Sequence, residues 1–130
     1  MKRRSYIKIA GLAAIFIISS CGMWRDNIHL SMKKAEFSAD GDSVLITTKG
    51  GGWWVSCISV NDSNYYDFKG VNVITDHYKI TGNCFVVERR DKFTLFISLS
   101  ANQEITKRIV KVNLEDGDYF DWVTITQKPK

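Results

Sequence analysis

Phe93-Thr94-Leu95-Phe96-Ile97-Ser98-Leu99 is the stretch that decides the fold. Phe93, Leu95, Ile97 and Leu99 recur at every second position, with Thr94, Phe96 and Ser98 between them. Successive side chains of an extended strand point to opposite faces, so this spacing predicts a strand with one face buried. Shorter alternating stretches surround it. Upstream lie Ala35 to Ala39, a hairpin-type Asp40-Gly41 turn, and Ser43 to Thr48 with Val44, Ile46 and Thr48 on one face. Lys49-Gly50-Gly51-Gly52 breaks the chain before Trp53 to Ile58, and Asn61 to Gly70 reads as a polar, aromatic-studded loop. Val71 to Ile74, Tyr78 to Thr81 and Cys84 to Glu88 read as strands before the opening stretch. Downstream, Asn102-Gln103 opens a loop, and Arg108 to Leu114 aligns Val110, Val112 and Leu114. Glu115 to Asp118 turns the chain into a last strand, Phe120 to Gln127. No stretch carries the 3.6-residue period of a long amphipathic helix, so the fold class is all-β, a sandwich or a barrel.

The N-terminus is of a different kind. Lys2, Arg3 and Arg4 precede an apolar run from Ile7 to Ile18 that is broken only by Lys8 and Gly11. That run is too short to span a bilayer, which takes about 20 residues, and has the length of a signal h-region. Ile18-Ser19-Ser20-Cys21-Gly22 follows, and it resembles the lipobox of bacterial lipoproteins, in Bacteroidetes form. The resemblance implies that Cys21 is diacylated and that residues 1–20 are removed. Two acyl chains give a stable anchor where one gives reversible binding. Gly22 is not the Asp that holds many lipoproteins at the inner membrane, so the expected address is the outer membrane, with periplasmic and surface faces both open. The expected organisation is a signal peptide over 1–20, the lipidated cysteine and a tether over 21–32, and one domain over 33–130.

Loss of the signal changes the charge. The precursor carries 18 Lys and Arg against 14 Asp and Glu. Lys2, Arg3, Arg4 and Lys8 account for the whole excess, since removing four of the eighteen leaves 14 of each sign. The mature chain is neutral, and its basic clusters, Arg89-Arg90-Lys92 and Lys107-Arg108-Lys111, read as solvated strand ends. A nucleic-acid partner would call for a basic patch and is not expected.

Trp53-Trp54-Val55 after the glycine break, Leu99-Ser100-Ala101-Asn102, Arg108-Ile109-Val110-Lys111-Val112 and Val123-Thr124-Ile125-Thr126-Gln127 occur in that order. Over Phe37 to Gln127 the chain resembles a BACON domain. The resemblance implies an immunoglobulin-like β-sandwich and a role in binding carbohydrate or mucin glycans.

Sugar sites use exposed aromatic rings together with amides and carboxylates. Trp53 should share the inner face with Val55 and Cys57, which leaves Trp54 beside Ser56 as the candidate platform. Tyr65, Tyr66 and Asp67, with Asn61 and Asn64, could complete a ligand site; the alternative is that Trp54 packs under the loop and the tyrosines close the sandwich end. Phe120 and Trp122 share the face of the last strand opposite Val123 and Ile125, and form a candidate partner-facing patch. The partners expected are the membrane, through the lipid, and either glycans or another envelope protein.

Catalysis is not expected. Of the two histidines, His29 falls in the tether, and His77 lies beside Asp76 with no nucleophile motif near it. No cofactor is implied, and no metal site, since Cys57, His77 and Cys84 are widely spaced and Asp116-Gly117-Asp118 reads as a hairpin turn. Cys57 and Cys84 are an even pair in an oxidising compartment; a disulfide between them and two separate thiols are both open.

Overall fold

A computed structural model describes residues 25–130. The expected signal peptide, Cys21 and the residues up to 24 lie outside the described residues. Nine strands follow: β1 (Lys34–Phe37), β2 (Asp42–Thr47), β3 (Trp54–Val60), β4 (Ser63–Tyr65), β5 (Tyr78–Thr81), β6 (Phe85–Asp91), β7 (Thr94–Leu99), β8 (Arg108–Asp116) and β9 (Tyr119–Gln127). They form a five-stranded sheet in the order β1-β9-β8-β3-β4 and a four-stranded sheet in the order β2-β7-β6-β5. The chain crosses between sheets after β1, β2, β4 and β7, as an immunoglobulin-like sandwich requires. All neighbours are antiparallel except β1, which runs parallel to β9.

The core is made by the alternation that the sequence displays. Leu95, Ile97 and Leu99 of β7 face Val110, Val112 and Leu114 of β8 and Val123 and Ile125 of β9, and all are buried. Phe93 departs from the expected pattern. It sits in the turn before β7 and is 44% exposed. Asp40-Gly41 also differs from the expected hairpin, because β1 and β2 enter different sheets. Gly41 is needed there, as its φ is 101° and a Cβ would press on the Leu99 carbonyl.

Two polar plugs close the ends of the core. At one end Gln127 is fully buried; its amide donates to the Ser38 and Ser100 carbonyls at 3.1 and 2.9 Å and accepts from Arg108 at 2.9 Å. Asn102 lies near it and donates to the Thr106 and Lys128 carbonyls at 2.9 and 3.1 Å. At the other end Arg89, expected to be solvated, is 2% exposed. Its guanidinium donates to the Gly51 and Lys92 carbonyls at 2.6 and 2.8 Å and to that of Trp53, and lies 4.0 Å from the centre of the Trp53 ring. The carbonyls left bare by the glycine-rich break take the two terminal nitrogens of the guanidinium, which offsets much of the cost of burying the charge, while Nε is buried without a partner.

The expected tether is shorter than 21–32. Ile28 is fully buried and joins the core, and its carbonyl accepts from the Lys49 and Gly50 N–H groups. Ser31 donates to the Thr47 carbonyl at 2.9 Å. Asp26 receives the Ile28 and His29 N–H groups at 3.0 and 2.8 Å, which orients His29 where no orienting group was expected. Residues 26–31 therefore form a strap of the domain. Gly50 admits it, since a Cβ there would run into the Asn27 carbonyl.

Candidate functional site

The outer face of the five-stranded sheet holds the candidate site, and a bulge in β3 creates it. Val55 pairs with Leu114, whereas Cys57 pairs with Asn113, so Ser56 is the extra residue. A bulge shifts every later side chain to the other face. Cys57, expected beside Val55 in the core, therefore belongs to the outer face and is absent from the core cluster. Ile58 takes the inner place opposite Val112. Cys57 and Cys84 are free thiols, so the disulfide alternative is not realised.

Two rows then cross the face. Phe120 of β9 stands opposite Glu115 of β8, and Glu115 opposite Trp54 of β3; Trp122 stands opposite Asn113, and Asn113 opposite Cys57. Neighbours in such rows have Cβ atoms about 5 Å apart. They enclose a groove of about 370 Å³ in which Phe120, Trp122 and Tyr66 are the aromatic walls and Ser56, Asn113 and Glu115 the polar floor. The three rings are 57%, 50% and 68% exposed. Cys57 lies in the groove but is only 4% exposed.

The structure thus joins one residue of the expected ligand site, Tyr66, to the pair expected to face a partner, Phe120 and Trp122. The others are elsewhere. Trp54, half-buried, lines a separate hollow of about 570 Å³ at the end of the sandwich with Gly51, Trp53, Arg89, Lys92 and Phe93. Tyr65 leans edge-on to Phe85 with ring centres 6.2 Å apart. It belongs to β4, a strand where a loop was expected, and the Asn61-Asp62 turn that makes the hairpin has φ of 47° and 70°. The Asn61 side chain accepts from the Ile109 N–H at 2.8 Å and so holds that turn. Asp67 is exposed and outside the groove. Ser56, Asn113 and Glu115 were not among the sequence candidates. The outward positions of Arg108 to Leu114 pointed to Asn113, but its nearness to Trp122 needed the pairing register.

Beside the groove, Asp121 is buried and its carboxylate meets Lys33 at 3.0 Å and the Tyr119 hydroxyl at 3.4 Å. Burial, with the negative charges of Asp121 and Asp26, pushes the Tyr119 phenol up to about 12. Lys33, hydrogen-bonded to Asp121, is held above its ordinary range. These groups clamp the strap to β9. His77 is exposed, with Nδ1 3.0 Å from the Arg90 carbonyl. Among the described residues no three His, Cys, Asp or Glu side chains converge as metal ligands would.

No family model matches the chain, and no curated protein matches it. Its fold is similar to an NMR structure of a protein from Bacteroides thetaiotaomicron, with a TM-score of 0.65 and 18% identity over 82% of this chain and 90% of that one. The pairing order and this likeness agree that the described chain is an immunoglobulin-like β-sandwich.

Proposed function

We propose that the chain is a lipid-anchored, non-catalytic binding protein that takes carbohydrate in the groove on its five-stranded sheet. One observation carries this reading: three exposed rings, Tyr66, Phe120 and Trp122, surround a floor of Ser56, Asn113 and Glu115. Rings stack on the apolar faces of a sugar while an amide, a hydroxyl and a carboxylate exchange hydrogen bonds with its hydroxyls. Among the described residues, the Asn113 amide and the Glu115 carboxylate make no hydrogen bond that would compete. A protein-docking patch, the other reading of Phe120 and Trp122, would be expected to lack a charged group such as Glu115 at its centre.

The resemblance to BACON domains supports the same class of ligand, although Asn102, Arg108 and Gln127, which carry much of it, serve the core. The lipobox-like Ile18 to Cys21 supports the anchor, and Gly22 in place of an inner-membrane Asp supports an outer-membrane address. A glycan array probed with the purified protein tests the ligand class. Binding to a set of glycans, abolished by Trp122→Ala and retained by Tyr65→Phe, is the expected outcome. Glycan binding undiminished in Trp122→Ala would remove the site from the groove, and no glycan bound while an envelope protein co-purifies specifically would replace the proposal with the docking reading. Cys21→Ser should take up no labelled fatty acid.

A further inference from the structure

The hollow beside Trp54 lies at the end of the sandwich where the strap begins, and its exposed apolar side chains have no role in the groove. Ile74, 84% exposed, and Phe93, 44% exposed, line the hollow together with the half-buried Trp54. Lys92 borders the hollow, and Lys49 is exposed on the segment that binds the strap. The Asn27 carbonyl abuts Gly50, and Lys92 abuts Gly51, so strap and hollow are contiguous.

We propose that this end of the sandwich seats on the headgroup layer of the bilayer that holds the Cys21 lipid, with Ile74 and Phe93 as the penetrating side chains. The inference rests on the acylation of Cys21 put forward above. Four peptide steps separate Cys21 from Arg25 and span at most about 14 Å. The nine residues of β8 extend about 30 Å. A tether shorter than half the domain, joined beside the hollow, brings this end to the lipid and leaves the Gln127 end away from it. The side chains there suit that place: apolar groups enter the boundary between headgroups and acyl chains while lysine stems lie along it and keep their charges in water. Asp76, Asp91, Asp116 and Asp118 share this end with Lys49, Lys92, Arg90 and Arg25. Acidic and basic side chains are thus interspersed around the seat, which has no basic excess that would call for anionic lipid.

The acylated protein in phosphatidylcholine vesicles provides the test. With Cys57→Ser and Cys84→Ser as background, a nitroxide is placed at Ile74→Cys, Phe93→Cys or Ile105→Cys; Ile105, 86% exposed, lies in the loop after Asn102, at the Gln127 end. Accessibility to oxygen relative to a water-soluble nickel chelate should rise above the aqueous value at 74 and 93 and stay aqueous at 105. Aqueous values at all three positions, in protein shown by fatty-acid labelling to be anchored, would overturn the seating alone. Absence of an acyl chain on Cys21 would overturn the anchor and the seating with it.

Discussion

Arg89 shows how much a single residue holds in this domain. Its guanidinium ties together the glycine-rich segment, the turn before β7 and the ring of Trp53. Burial lowers its pKa, while the Tyr78 hydroxyl, Asp76 and Asp91 oppose that shift. Arg89→Met would leave several buried carbonyls without donors. A loss of about 3 kcal/mol or more is expected in urea unfolding. Trp122→Ala is the contrasting case, because the ring is half exposed and outside the core cluster; its unfolding free energy should change by less than about 1 kcal/mol while glycan binding is lost. The sequence distinguished Trp53 from Trp54 by strand alternation, and Phe120 and Trp122 from Val123 and Ile125 in the same way. It concealed Arg89, since an arginine near a strand end looks solvated until the carbonyls around it are known.

At the level of elements, the strap and the bulge decide where the site lies. Burial alone would raise the Asp26 carboxyl, but the N–H groups of His29 and Ile28 and the Tyr119 hydroxyl outweigh it and hold the pKa below 3.8. A depressed carboxylate pKa contributes stability that is present above the unfolded value and lost as the pH falls through the folded value. Acidification below the ordinary carboxylate range should therefore loosen residues 26–31 first. Hydrogen exchange would report it as early loss of protection at Lys49 and Gly50, whose amides bond to Ile28, while β7 and β8 stay protected. Gly50→Ala should act on the same element at neutral pH by driving a Cβ into the Asn27 carbonyl, and should lower the melting temperature.

Strands with strict alternation, such as β7 and β8, were legible in the sequence. The bulge was not, because Val55-Ser56-Cys57 obeys the same alternation until the pairing with β8 is seen. Val71 to Ile74 has strand-like residues but no partner. Asn72 instead turns it, accepting the Ile74 N–H at 3.1 Å, so that Ile74 faces solvent. Buried Ile28 was hidden for a related reason: a single apolar residue in a polar segment carries no period.

Over the whole molecule, these local departures place the strap, the hollow and the groove in one order. With Cys21 acylated as proposed, the strap would bring the domain close to that anchor. The hollow lies at that end, and the groove runs along the side of the sandwich from Phe120 toward Trp122 and Tyr66. If the proposed anchor holds, a ligand in the groove would sit beside the membrane rather than at the far tip. The most direct test of the groove is a titration of the ¹⁵N-labelled protein with an oligosaccharide from the array, followed at the indole N–H resonances. The Trp122 indole should shift in proportion to binding, while that of Trp53, buried and donating to Thr48 at 2.9 Å, stays in place. Binding that leaves the Trp122 resonance unmoved would contradict the assignment of the groove.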